Sequence, residues 1–114
     1  MKQTTRELAK SYYEAMGRKD EKDIERHLHP SVTFLSPVAE FNGKDDVLGW
    51  IKGFLPNFES LTIRSVCAHE NQAMLAYDIK FPGAAKLVRG AALLDFNGDL
   101  ISRIELFFDR GQST

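Results

Sequence analysis

The sequence predicts an α+β fold in which three N-terminal helices pack on a curved antiparallel or mixed β-sheet. In the first half of the chain, apolar residues recur at the spacing of an amphipathic helix, most clearly within residues 5–16 and 47–55. From Leu61 onward, apolar and polar residues alternate in four segments that are separated by short turns. Helices that precede a run of adjacent strands are typical of α+β proteins.

Two helices are predicted before the first strand. The first covers about residues 5–16 and ends at Gly17. The second begins near Asp20, because a carboxylate at a helix N-terminus accepts hydrogen bonds from backbone N–H groups that have no partner within the helix. It should run to about Leu28, and Pro30 closes it.

The first strand and the third helix follow. Residues 32–35 are rich in β-branched and aromatic side chains, which predicts a strand that ends near Ser36, and Pro37 and Gly43 bracket a loop. A helix then runs to the proline at position 56. Its apolar face consists of Val47, Trp50, Ile51, Phe54 and Leu55.

The second half of the chain is predicted to be a four-stranded antiparallel meander. Asn97-Gly98, between the last two strands, is one of the strongest short signals for a tight hairpin. The strands cover residues 61–68, 73–81, 86–96 and 100–108.

Composition excludes several classes of function. A chain of 114 residues has the usual size of one domain, and 43% hydrophobic residues are typical of a globular protein. The net charge is −1 with the basic residues scattered, so no nucleic-acid partner is predicted, and no segment resembles a membrane span or a secretion signal. Cys67 is the only cysteine, which agrees with a cytoplasmic location. We expect no metal and no cofactor, because the chain has neither a convincing ligand set nor a glycine-rich phosphate loop.

Three passages resemble the SnoaL-like family of the nuclear transport factor 2-like superfamily. They are YYEAMGRKDEKDIERHLHPSVTF, FNGKDDVLGWIKGF and AALLDFNGDLISRIELFFD, which together span most of the chain. The resemblance implies a cone-shaped domain with a pocket between the helices and the concave face of the sheet, and a homodimer formed through the sheet's other face. The superfamily contains isomerases, dehydratases, epoxide hydrolases, polyketide cyclases and non-enzymatic binding domains, so the resemblance alone does not choose a function.

Within that superfamily, the ketosteroid isomerases offer a residue-by-residue comparison. Their oxyanion-binding tyrosine matches Tyr12. Their general-base aspartate matches Ser36, in Ser36-Pro37-Val38, and their second oxyanion donor matches Ala92. Because a serine cannot shuttle a proton near neutral pH as a carboxylate does, ketosteroid isomerisation by the known mechanism is not predicted.

The same resemblance implies a different set of site residues. Tyr12, Arg103 and Glu105 would be catalytic, with Tyr12 as a hydrogen-bond donor and Glu105 as a proton shuttle beside the arginine. Glu40, on the expected pocket rim, is a second candidate acid or base. A small hydrophobic molecule would contact Phe34, Ser36, Glu40, Trp50, Tyr77, Ile79, Phe81, Leu94 and Phe107, with Ala92 and Phe96 on the same side of the sheet.

Periodicity alone supports an alternative for the last strand. The opposite face of that strand is more apolar, so burying it would leave Arg103 and Glu105 in water. We further expect Tyr13 to point away from the pocket, Cys67 to be a small core residue and Asp78 to lie on the back of the sheet. The alternative face consists of Ser102, Ile104, Leu106 and Phe108.

Two functions therefore stay open at the level of the sequence. The first is a cofactor-independent acid–base enzyme, such as an isomerase, cyclase, dehydratase or epoxide hydrolase, acting on a small apolar carbonyl, epoxide or hydroxyl compound. The second is a non-catalytic domain that binds a hydrophobic ligand or serves for dimerisation, in which case Ile104, Leu106 and Phe108 would form the back of the sheet.

Overall fold

The computed structural model describes residues 3–83 and 86–108 and confirms the α+β class. Three helices precede most of a six-stranded sheet. The helices are α1 (Thr5–Arg18), α2 (Glu21–Arg26) and α3 (Lys44–Phe54), and a short 3-10 turn covers Leu55–Asn57. The strands are β1 (Leu28–Leu35), β2 (Glu40–Asn42), β3 (Ser60–His69), β4 (Gln72–Lys80), β5 (Val88–Asn97) and β6 (Leu100–Phe107).

Local signals define the helix ends. Thr4 and Glu7 form a capping box at the start of α1, in which each side chain accepts a hydrogen bond from the other residue's backbone N–H. Asp20 caps α2 by accepting from the Asp23 N–H. α2 ends at Arg26, earlier than predicted, and the chain enters β1 at Leu28.

The sheet is mixed, in the order β2-β1-β6-β5-β4-β3. β3 to β6 form the predicted antiparallel meander, whereas β1 pairs with β6 in parallel. Pro30 lies inside β1 rather than at the end of a helix, and the pairing of β1 with β6 is irregular between Leu28 and Thr33, where a residue without an N–H can be accommodated. β2 was not predicted, because it is only three residues long and mostly exposed.

A β-bulge decides which side chains of β6 face the helices. Ile101 pairs with Phe96 and Arg103 with Asp95, so Ser102 is one extra residue, and its hydroxyl donates to the Asp95 carbonyl at 3.2 Å. Because side chains alternate along a strand, one extra residue exchanges the two faces beyond it. Ile101 and Ile104, three positions apart, are therefore both fully buried on the helix side of the sheet.

Candidate functional site

A cavity of about 340 Å³ lies between the helices and the concave face of the sheet. Its walls come from α1, α3, the β1–β2 connection and strands β1, β3, β4, β5 and β6, so most of the fold contributes to it. This volume is within the range of small-molecule sites. The lining residues are Tyr12, Tyr13, Met16, Phe34, Val38, Trp50, Phe54, Leu61, Tyr77, Ile79, Phe81, Val88, Gly90, Ile104, Leu106 and Phe108.

One wall of the cavity is a group of packed aromatic rings. The ring centroid of Trp50, the only tryptophan in the chain, lies 4.5 Å from that of Phe34 and 5.2 Å from that of Phe54. Trp50 and Phe54 are stacked at an interplanar angle of 7°, and Phe81 meets Phe54 edge-on. Rings fixed by mutual contact form a preformed apolar surface.

All three tyrosines of the chain also line the cavity. Tyr12 and Tyr13 are neighbours on α1 with their rings in an edge-to-face contact at 5.0 Å, and Tyr13 stacks on Tyr77 of β4 at 5.3 Å. Tyr77 in turn lies over Gly90, its partner on β5. A Cβ atom at position 90 would be 2.8 Å from the Tyr77 ring, so a glycine is needed there for the ring to lie flat on the sheet.

The tyrosines are neutral hydrogen-bonding groups. Burial raises the pKa of the Tyr12 and Tyr13 phenols well above their ordinary value, and the neighbouring Tyr77 hydroxyl adds to both increases. Burial also raises the pKa of Tyr77 to about 12. At neutral pH, all three side chains therefore retain the proton that a phenol can donate to a ligand.

Among the described residues, none that lines the cavity carries a carboxylate, an imidazole, an ammonium or a guanidinium group. The expected placement of Arg103, Glu105 and Phe107 in the cavity was wrong. These side chains lie on the convex face of the sheet, where Arg103 Nη2 and Glu105 Oε1 are 3.7 Å apart and partly solvated. The bulge at Ser102 is the physical reason, because it turns Ile104, Leu106 and Phe108 inward in their place.

The same bulge corrects the proposed dimerisation face. Ile104, Leu106 and Phe108 line the cavity, so they cannot form the back of the sheet.

Cys67 was expected in the core, but it is exposed. It pairs with Met74 on the convex face, beyond another irregularity in β3 between Ile63 and Ser65.

Ser36 and Glu40 do not line the cavity either. The Ser36 hydroxyl accepts from the Ala39 N–H at 3.1 Å and from the Val38 N–H at 3.3 Å, which closes the turn between β1 and β2. Glu40 is exposed on β2. From this turn, Val38 lines the cavity; its side chain is 56% exposed.

The remaining candidates are distributed as follows. Tyr12, Phe34, Trp50, Tyr77, Ile79 and Phe81 lie in the cavity wall, whereas Leu94, with Ala92 and Phe96, is buried on the same sheet face outside the lining. Tyr13, expected to point elsewhere, is a lining residue. Consecutive helix residues usually point in different directions, which is why Tyr13 was expected elsewhere.

His27 is a buried polar side chain that was not among the predicted site residues. It follows α2, and its Nε2 atom has no hydrogen-bond partner among the described residues. Asp23 Oδ1 lies 3.9 Å from this nitrogen, and the Tyr12 ring packs edge-on at 6.3 Å. Burial lowers the pKa of His27, although Asp23 partly opposes the shift.

Within residues 3–83 and 86–108, no three His, Cys, Asp or Glu side chains lie close enough together to hold a metal ion.

The profile of the SnoaL-like domain matches residues 9–104, which is most of the chain. The chain belongs to the SnoaL-like domain family. None of the curated proteins resembles this SnoaL-like domain closely enough in sequence to count as a relative. In the part of the chain that the structure describes, no helix is long and apolar enough to cross a membrane.

Solved structures with a nuclear transport factor 2-like fold superpose on this SnoaL-like domain. A nuclear transport factor 2-like protein of unknown function from Cytophaga hutchinsonii has a TM-score of 0.86 at 19% identity, over 99% of this chain and 96% of that chain. A candidate ketosteroid isomerase from Kribbella flavida has a TM-score of 0.84 at 20% identity, over 93% and 78%. A candidate polyketide cyclase from Sinorhizobium meliloti has a TM-score of 0.78 at 13% identity, over 89% and 94%. At these identities the likeness establishes the fold alone.

Proposed function

We propose that this domain binds a small, flat, largely apolar molecule that carries an acceptor oxygen, without performing acid–base chemistry on it. The observation that carries the proposal is the cavity wall, which combines packed aromatic rings with three protonated phenols and, among the described residues, no charged group. Apolar walls with a few oriented polar groups are the usual composition of a small-molecule site. The rings would bind the body of the ligand, and a tyrosine hydroxyl would donate to its oxygen.

A matched pair of probes separates the two contributions. 1-Indanone and indane have the same fused-ring skeleton and differ in one carbonyl group. Both should quench or shift the emission of Trp50, which lies in the wall, and 1-indanone should bind more tightly by about two- to tenfold, the usual net value of one hydrogen bond. Equal affinities, or no binding of either probe at millimolar concentration, would contradict the proposal.

Tyrosine variants test which hydroxyl acts. Tyr12→Phe, Tyr13→Phe and Tyr77→Phe each remove one donor while keeping the ring. The variant that lacks the hydroxyl bonded to the carbonyl should bind 1-indanone about as weakly as indane. Its affinity for indane should stay the same. Ser11→Ala, next to these residues in α1, is the matched control because Ser11 does not line the cavity. A carbonyl preference that persists in all three variants and in the triple variant would overturn the role of the tyrosines.

The competing function is an acid–base enzyme of the kind that the candidate isomerase and cyclase neighbours represent. Tyr12 supports it, because a phenol in an apolar site can stabilise an enolate oxygen. Enolisation also needs a base, and the described lining residues supply none. Deuterium exchange of the methylene hydrogens beside the carbonyl of 1-indanone distinguishes the two functions. We expect no acceleration by the protein; a Tyr12-dependent acceleration would favour the enzyme.

We also propose that two copies of the domain associate through the convex face of the sheet. This face carries Met74 and Phe107, each 42% exposed. The pairing registers put Leu93 beside Met74, and Ala91 beside Phe107, so these side chains form an apolar strip across the sheet. An exposed apolar patch of this kind is typical of an interface between proteins.

Sedimentation of a single variant tests this association. Phe107→Glu puts a charge in the strip and should convert a dimer to a monomer, because an unpaired carboxylate in an apolar interface is costly to desolvate. Leu87→Glu, at an exposed apolar position before β5, is the control and should leave the dimer intact. A wild-type protein that sediments as a monomer at high concentration would refute the association without affecting the ligand proposal.

A further inference from the structure

A second concavity lies on the outside of the molecule, between α1 and β3. It has a volume of about 710 Å³ and is lined on one side by six consecutive strand residues, Leu61 to Val66. Neighbouring strand residues point to opposite faces, so a groove that contacts six in a row must follow the backbone edge of the strand. β3 is the last strand of the sheet, and within the described residues its outer edge pairs with no other strand. At its start this edge is covered by α1, because a Cβ at Gly17 would lie only 3.3 Å from the Leu61 carbonyl oxygen. The outward N–H and C=O groups from Thr62 to Val66 are therefore the ones available to a further strand.

The opposite wall of this α1–β3 groove is positively charged. Arg6, Lys10 and Glu14 succeed one another at the four-residue spacing of one helix face. Within the described part of the chain, no carboxylate lies at ion-pairing distance from Arg6 or Lys10. The two other cations of the groove are already paired, Arg18 with Asp23 at 2.6 Å and Arg64 with Asp78 at 3.8 Å. Arg6 and Lys10 are thus the groups that can attract a negative ligand.

We propose that the α1–β3 groove binds an acidic peptide segment in extended conformation, which joins the sheet as a strand beside β3. The backbone of the peptide would pair with the free edge of β3, and its carboxylates would face Arg6 and Lys10. Strand addition uses main-chain hydrogen bonds for affinity and side chains for selection. Here the selection is by charge, because the described lining of the groove offers two unpaired cations and one carboxylate, Glu14.

A small anion would use only half of these features. Arg6 and Lys10 are exposed and would bind phosphate weakly, since exposed ion pairs are screened by water and salt. The groove follows the open strand edge from Thr62 to Val66, and this length favours a chain over a compact ion. The proposal does not depend on a ligand in the inner cavity, although Tyr13 and Leu61 contribute to the walls of both concavities.

The test uses the backbone amide signals of the ¹⁵N-labelled protein. The probe is a capped octapeptide of alternating glutamate and valine, and the control peptides are alternating lysine and valine, and the glutamate peptide with proline in place of every valine. We expect the glutamate–valine peptide to shift the signals of residues 61–66 and to slow their hydrogen exchange. The lysine peptide should bind more weakly because its charge repels Arg6 and Lys10. The proline peptide should fail because half of its residues have no N–H and proline disrupts strand pairing.

Charge variants complete the test. Arg6→Gln with Lys10→Gln should weaken binding of the acidic peptide about fivefold, as expected for two exposed ion pairs. Lys52→Gln, an exposed lysine on α3, is the control and should have no effect. The proposal is overturned if the shifts map away from residues 61–66 or are absent at millimolar peptide. Equal binding of the lysine or proline peptide, or the same shifts with inorganic phosphate alone, would overturn it as well.

Discussion

Gly90→Ala is the substitution whose effect can be worked out most fully from the structure. The new Cβ would lie 2.8 Å from Cε1, 3.0 Å from Cζ and 3.1 Å from the hydroxyl of Tyr77, whereas ordinary contacts begin at 3.4 Å. The ring must therefore retreat by about 0.6 Å. Behind it lies Tyr13, stacked at 5.3 Å, so neither ring can move freely. We expect a loss of about 1–3 kcal/mol in the free energy of unfolding, the usual cost of overpacking a core.

Urea unfolding, followed by the emission of Trp50, measures this loss. Thermal unfolding should show a midpoint lower by roughly 4–12 °C. Gly49→Ala is the matched control: nothing lies within 4 Å of its Cβ position on α3, so alanine should stabilise the helix by about 0.5–1 kcal/mol.

A double-mutant cycle identifies the cause. In a Tyr77→Val background the clash partner is gone, so Gly90→Ala should cost less than about 0.5 kcal/mol. The packing argument is refuted if Gly90→Ala is as stable as the wild type, or if its cost is unchanged in the Tyr77→Val background.

Three further outcomes are expected. Glu105→Gln should leave the affinity for 1-indanone unchanged by calorimetry, because the carboxylate lies on the convex face; a weaker affinity would contradict that placement. Phe34→Ala should cost about 3–5 kcal/mol in urea unfolding and abolish probe binding, since the ring is buried against Trp50; a loss below 1 kcal/mol would show that the wall is not packed as described. The pKa of His27 is lowered in the folded state, so the neutral form stabilises the fold above about pH 6.5, and stability should fall as the pH drops from there through the folded pKa. His27→Gln should flatten that fall, and an unchanged pH profile of unfolding would rule out His27 as its source.

Much of the fold was predictable because its elements carry strong local signals. The helical face of residues 47–55 and the Asn97-Gly98 turn each fix an element without help from the rest of the chain. β2 and the early start of β1 carry no such signal. β2 is too short to show an alternating pattern of apolar and polar residues. Pro30 is typical of a helix end, but here it lies in β1, which is held by its pairing with β6.

The sequence predicted most of the apolar residues that line the cavity, but it misplaced the charged ones. Phe34, Trp50, Tyr77, Ile79 and Phe81 are large apolar residues in regular elements, and any packed arrangement turns them inward. In a regular strand, residues two apart lie on the same face. Ile101 is buried, so a regular β6 would also place Arg103 and Glu105 inside. The bulge at Ser102 reverses the alternation, and a serine in a strand does not reveal a bulge. The greater apolarity of Ile104, Leu106 and Phe108 was the signal in the sequence that pointed to the observed arrangement.

The proposed function requires that the neutral, aromatic cavity hold an apolar ligand by its rings and that a tyrosine donate to the ligand's oxygen. A crystal structure of the protein with 1-indanone shows both contacts at once. We expect the fused rings against Trp50 and Phe54, and the carbonyl oxygen about 2.5–3.0 Å from the hydroxyl of Tyr12, Tyr13 or Tyr77. A probe bound on the convex face, or one in the cavity with its carbonyl turned away from all three hydroxyls, would refute the proposed function.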